Sequence, residues 1–238
     1  MKALLYKEFK LAMHPICYIF IIMFPFMILI PSYPLAIGFI YVLTCYPILF
    51  LGANKGQQSN DLLFSTLLPV RKKDIVLARI FTVIFMQVAF MVIMSCIFPL
   101  AYMWFGNGPI VEKEPGSFVI VNSAFDMKTP IIGFSIKSYV VVLAIALVGY
   151  AIADLIFFPI YYKHGKSIVA STLFTILGFI VYLGVTTIAV PYIIGIEACN
   201  SIPLWIQFIA LAAAIGLSAL IHFFVYKIGA KCLEKVDF

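Results

Sequence analysis

The chain has 238 residues, of which 64% are hydrophobic and only 11% charged, with a mean hydropathy of +1.13 and a formal net charge of +6. A water-soluble globule carries an apolar fraction nearer one half, so this composition excludes one and identifies an integral membrane protein. The basic excess by itself does not point to nucleic acid, because its distribution along the chain follows membrane topology, as set out below.

In chain order, residues 1–13 open with Lys2, Lys7, Lys10 and His14 on one side of a helical wheel and Leu4, Leu5, Phe9 and Ala12 opposite. That pattern suits a short helix in the headgroup layer, with Glu8 falling on the apolar side as its one discordant residue. The apolar run that follows is longer than a signal sequence and lacks a small-x-small cleavage site, so no leader is expected to be removed. A span needs about 20 mostly apolar residues to cross roughly 30 Å of hydrocarbon. Six stretches qualify, at residues 14–31, 34–52, 75–103, 138–162, 167–190 and 203–226. The first two are short and punctuated by Pro15, Pro25, Pro31, Pro34 and Pro47, and the third is long enough to project beyond the bilayer.

A polar island, residues 54–73, separates the second and third spans. Ser59 or Asn60 is a suitable N-cap and Asp61 sits in the first turn, where its charge suits the helix dipole. Leu62, Leu63, Phe64, Leu67 and Leu68 then form one short apolar helix that Pro69 stops, followed by Arg71, Lys72 and Lys73. Too short to span, this helix must bury its face against other spans, against lipid or in a partner's groove.

Residues 105–136 form the largest loop, with Gly106, Gly108, Pro109, Pro115, Gly116 and Pro130 and nearly cancelling charges, which predicts a small cap or ordered loop. The fourth and fifth spans join through a short turn containing Lys163, His164, Gly165 and Lys166. The fifth and sixth join through PYIIGIEACNSI, whose apolar first half suggests a dip back into the membrane.

With six spans and a cytosolic N-terminus, Lys2, Lys7, Lys10, Lys55, Arg71, Lys72, Lys73, Arg79, Lys163, Lys166, Lys227, Lys231 and Lys235 lie inside. Only Lys113, Lys128 and Lys137 lie outside, which accounts for all 16 basic residues. This positive-inside bias predicts that both termini are cytosolic, and Trp104 and Trp205 then fall at one outer interface. Cys17, Cys45 and Cys96 in spans, Cys199 in an outer loop and Cys232 in the tail imply no disulfide framework.

Asp154 is the lone acid inside a span, about 12 Å from its cytosolic end at about 1.5 Å per residue. Such an acid is either a functional ionisable group or is hydrogen-bonded between helices, and His222 in the sixth span and His14 near the first are interfacial or interhelical partners by position. Small pairs four apart, Gly149 with Ala153, Ala210 with Ala214 and Ala212 with Gly216, permit close helix contact within the chain or across a dimer. The sequence HGKS at 164–167 mimics the end of a phosphate loop, but the pattern requires glycine where Ile160 stands, so no nucleotide site is expected in this chain.

The run LLFSTLLPVRKKDIVLARI resembles bacterial ABC transporter permeases of the type-two export class, in which a short helix ending in Leu-Pro-Val and a basic pair leads into the third span. Leu67, Leu68, Pro69, Val70, Arg71, Lys72, Ile75, Val76 and Arg79 match that pattern, as do FPIYYKHGK after the fourth span and the opening KALLYKEFK. Members often carry an acid just before the short helix, where this chain has Gln57 and Gln58.

The resemblance implies an all-α integral membrane protein with one permease domain over residues 1–238. It would comprise six transmembrane helices, the N-terminal interfacial helix, and a cytosolic coupling helix docking on an ATPase subunit. Asn60, Asp61, Leu62, Leu63, Phe64, Leu67, Leu68, Pro69, Arg71 and Lys72 would make that contact, with Lys163, His164, Gly165 and Lys166 as a second. The chain itself would bind no cofactor and catalyse no reaction, ATP and Mg belonging to two cytosolic ATPase subunits. A second permease copy or paralogue, the bilayer and an amphipathic peptide cargo complete the implied partners, in a bacterial plasma membrane. The chain also resembles, more narrowly, permeases of phenol-soluble-modulin and antimicrobial-peptide exporters. The alternative reading is a stand-alone proton-coupled transporter or channel that uses Asp154.

Overall fold

Four long helices and a small sheet organise the chain. The computed structural model describes residues 2–9, 16–23, 26, 70–106, 109–114, 117–122, 127–131, 134–164 and 168–235. Helix α1 spans Lys2–Lys7 and α2 spans Ile16–Met23. The longest elements are α3, Lys72–Ala101, α4, Tyr139–His164, α5, Ile168–Leu183, and α8, Leu204–Glu234. Between α5 and α8 lie a π-helical segment, Gly184–Ala189, and two short helices, α6, Val190–Ile194, and α7, Ile196–Asn200.

Among the described residues, four stretches are long and apolar enough to cross a membrane, Lys72–Trp104, Ile136–Lys163, Val169–Ile194 and Leu204–Glu234. They correspond to the third to sixth expected spans. Of the first two, only residues 16–23 and 26 are described; the rest of those spans, and the short helix of residues 60–69, lie outside the described residues.

Helix α4 is the centre of the bundle. It packs most extensively on α8 and then on α5, and α8 also meets α3. Both of its faces are buried, with Ala146, Tyr150, Ala151, Ala153, Phe157, Phe158 and Tyr162 all at 0% exposure. Helices α5 and α8 instead turn Leu173, Phe174, Val181, Phe208, Ile209 and Phe223 outward, as helices do whose solvent is lipid.

The α4–α5 contact depends on Gly149. A Cβ there would lie 2.7 Å from Phe179 Cε2 and 2.9 Å from Tyr182 Cε1. The Gly149–Ala153 pair is thus spent within the chain. Gly216, by contrast, has nothing within 4 Å of a built Cβ, and Ala212 is exposed beside it.

The segment between α3 and α4 holds structure that turn-former content alone did not reveal. Strands β1, Ile110–Glu114, β2, Ser117–Asn122, and β3, Met127–Ile131, form an antiparallel sheet in that order. Ile110 pairs with Ile120 and Phe118 with Ile131, with an irregularity between Glu112 and Glu114. Pro130 lies on β3, an edge strand, where its missing N–H disrupts no interior ladder. Ile120 and Ile131 join the same apolar core as Tyr139 and Val142 of α4, so the sheet caps the bundle.

At this sheet end lies the connection from α5 to α8. It continues helically to Ile194, then turns at Gly195, whose φ of 109° is a conformation that glycine adopts without steric cost. Helix α7 is then fastened to the start of α4. Asn200 Oδ1 accepts from the Ser135 backbone N–H at 2.6 Å, and Ser138 Oγ donates to the Cys199 carbonyl at 2.7 Å.

Cys199 is buried there, and burial pushes its thiol pKa up. A maleimide should therefore modify Cys199 slowly in the folded protein, faster as the buffer turns alkaline and the thiolate forms, and rapidly once the chain is unfolded. Equal labelling of folded and unfolded protein would contradict this placement.

Candidate functional site

The opposite end of the bundle gathers basic residues. Arg71 precedes α3 in an extended conformation, its carbonyl accepting from the Asp74 N–H at 2.9 Å, and Asp74 places its charge in the first turn. Val70 and Arg71 are exposed, as are Lys163 at the end of α4 and Lys227, Lys231 and Lys235 on and after α8. Lys73 and Glu234 approach to 3.5 Å, linking α3 to α8. Both are exposed, so this pair contributes about 0–1 kcal/mol.

Trp104, in the π-helical segment that follows α3, and Trp205, in the first turn of α8, both lie at the other end of the bundle. Of the residues expected to meet an ATPase, Arg71, Lys72 and Lys163 thus stand at one end of the bundle. His164 ends α4. Asn60, Asp61, Leu62, Leu63, Phe64, Leu67, Leu68, Pro69, Gly165 and Lys166 lie outside the described residues.

Two buried polar clusters lie behind this basic end. In the first, Arg79 on α3 is only 1% exposed. Its Nε donates to Glu8 Oε1 at 3.4 Å, its Nη1 donates to the Tyr161 hydroxyl on α4, and Lys7 stands 3.7 Å from the same Glu8 oxygen. Leu4 packs with Ile75 and Ala78, and Phe9 meets Phe85 edge-on at 5.2 Å. Glu8 therefore sits on the apolar side of α1 because that side faces α3, which supplies its counter-charge. Sequence reading marked Glu8 as discordant and matched Arg79 to a motif, yet nothing local joins residues 71 positions apart.

The second cluster lies deeper. Asp154 on α4 is fully buried and Gln87 on α3 nearly so. Gln87 Nε2 donates to Asp154 Oδ2 at 3.1 Å and Oδ1 at 3.3 Å, while His222 Nε2 on α8 lies 2.9 Å from Oδ2. Asp154 is hydrogen-bonded between helices, and His222 is one of its partners. Gln87, a neutral amide in a long apolar helix, was not singled out by the sequence. Among the described residues no three His, Cys, Asp or Glu side chains gather as they would around a metal ion.

The family model described as ABC-2 family transporter protein matches residues 3–227, nearly the whole chain. The chain belongs to the ABC-2 transporter family. No curated protein and no solved structure matches it. As an ABC-2 permease it is a multi-pass membrane transport subunit, and membership implies partnership with ABC ATPase subunits.

Proposed function

We propose that this ABC-2 permease is the membrane subunit of an ATP-driven exporter in the bacterial plasma membrane, moving amphipathic peptides or other hydrophobic cargo. It pairs with a second permease copy or paralogue. Two cytosolic ATPase subunits, which hold ATP and Mg, bind at the basic end. Both termini face the cytosol, and the described helices are four of six spans.

The observation that carries this reading is the continuity of α3. It runs unbroken for 30 residues from Lys72, about 45 Å at 1.5 Å per residue, directly after Arg71. Displacement of the Leu67–Leu68–Pro69–Val70–Arg71 segment by a partner enters a rigid rod with no flexible linker between. Apolar and aromatic outward faces on α5 and α8 favour a hydrophobic or amphipathic cargo over a hydrophilic solute. The narrower link to toxin-peptide export and antimicrobial-peptide resistance rests on sequence resemblance alone.

The test is ATP hydrolysis by the nucleotide-binding partner, copurified with this permease in lipid. The Leu67→Asp/Arg71→Glu variant is expected to lose assembly or at least tenfold of permease-dependent hydrolysis, because the apolar knob and its charged collar are both reversed. Wild-type behaviour of that variant, or transport by the chain without any ATPase, refutes the coupling role and favours a stand-alone carrier.

A further inference from the structure

The Asp154 cluster has a proton count that its geometry fixes. His222 Nδ1 lies 2.7 Å from the Ser218 carbonyl oxygen, which only accepts, so Nδ1 must carry a hydrogen. Were Nδ1 bare, its lone pair would face the carbonyl lone pairs at that distance, and the Ser218 hydroxyl at 3.3 Å would not offset the repulsion. The other ring nitrogen faces Asp154 Oδ2 at 2.9 Å, a hydrogen-bonded separation that requires one further hydrogen between the two. Gln87 supplies donors to the carboxyl but no titratable proton.

We propose that Asp154, His222 and Gln87 form a proton-binding site within the membrane, in which one exchangeable proton is shared between Asp154 and His222 and holds α8 against α3 and α4. With that proton the pair is net neutral, either as carboxylate with imidazolium or as carboxylic acid with imidazole. Its release to water leaves a buried carboxylate and a neutral imidazole, so the pair itself then carries a net negative charge in an apolar bundle. Addition of a second proton leaves a net positive one. Asp154 is fully buried, whereas the His222 side chain is 12% exposed, so the imidazole is the member of the pair nearer the surface of the bundle.

The described residues of the three packed helices carry other charges. On α3 they are Lys72, Lys73, Asp74 and Arg79, the last engaged by Glu8 and Tyr161 two helical turns from Gln87. On α4 Lys163 lies at the basic end, and on α8 Lys227, Lys231 and Glu234 follow His222. The tyrosines on these helices are Tyr139, Tyr150, Tyr161 and Tyr162 on α4 and Tyr226 on α8. Among the described residues of these helices, Asp154 and His222 are therefore the one acid and imidazole at this depth. The site is independent of the ATPase reading and applies to the isolated permease.

Two measurements on the full chain in lipid nanodiscs test it. Histidine-labelled His14→Gln/His164→Gln protein leaves His222 as the sole imidazole, whose nitrogen NMR spectrum reports each ring nitrogen directly. The expected spectrum keeps Nδ1 protonated throughout, with titration confined to Nε2 and the carboxyl it faces. A bare Nδ1 at neutral pH, or no titration from acidic to alkaline buffer, overturns the assignment. Thermal unfolding is the second readout. The wild-type midpoint should fall as the buffer turns alkaline, and Asp154→Asn, which keeps an amide partner but no acid, should lose that dependence. A merely structural hydrogen bond predicts an equal loss at every pH, and a parallel pH profile in the two proteins sinks the proposal.

Discussion

Arg79→Leu is expected to destabilise the permease by about 3–5 kcal/mol, the usual cost of stranding one member of a buried ion pair. Glu8 would remain buried, with Lys7 at 3.7 Å as its remaining cation among the described residues, and the Tyr161 hydroxyl would lose its guanidinium donor. The side chain to be removed is itself 1% exposed, so water does not screen the interaction. The Glu8→Leu/Arg79→Leu double variant should recover most of the loss, because replacing a buried pair by apolar groups is often close to neutral. A double-mutant cycle on the unfolding free energy in lipid then isolates the pair's coupling. A loss below about 1 kcal/mol for Arg79→Leu would place the pair in the solvated class and contradict the burial.

The same pair has a mechanical consequence for the proposed function. Arg79 lies two helical turns beyond Arg71, so α1 is fastened to the first part of α3 that a partner would displace. Movement entering at Arg71 is carried into α1 and, through Tyr161, into α4. One buried cluster thus joins three elements next to the basic end.

How far these features were legible depends on their range in sequence. Long apolar runs located α3, α4, α5 and α8, because a helix in lipid must satisfy its backbone internally and hydropathy reports that need. Their ends were less visible. Hydropathy ended the last span at residue 226, yet α8 continues to Glu234, since Lys227 and Lys231 can lay their apolar stems along the helix while their ammonium groups reach water. The sheet had a local signal in the β-branched run Val119–Ile120–Val121, masked by the glycines and prolines on either side. Asp154 stood out as the one acid in a span, and His222 as an interhelical partner by position. Their pairing, and the part played by Gln87, joins residues 67 and 68 positions apart and exists only once α3, α4 and α8 are packed. Arg79 was placed at the basic end by its position, but its burial against Glu8 and Tyr161 exists only after packing.

Gly149→Leu should be the most disruptive single change in the α4–α5 contact. Even the first added carbon would sit 2.7 Å from Phe179 and 2.9 Å from Tyr182, closer than carbon atoms approach. Neither ring has an easy escape. Phe179 is 1% exposed and stacks on Tyr150 at 5.4 Å and 3°, while the Tyr182 hydroxyl donates to the Ile145 carbonyl at 3.2 Å. Gly149→Ala is expected to cost about 1–3 kcal/mol by overpacking, and Gly149→Leu more, since further atoms must displace α5 from α4. Gly216→Ala supplies the contrast on α8. With no neighbour within 4 Å it should be neutral or stabilise by up to about 1 kcal/mol through backbone entropy. Unfolding in lipid measures all three. If Gly216→Ala instead weakened self-association while leaving the isolated chain's stability unchanged, the outward small pair Ala212–Gly216 would be a contact between permease copies, and the two small pairs would have divided the work of packing within and between chains.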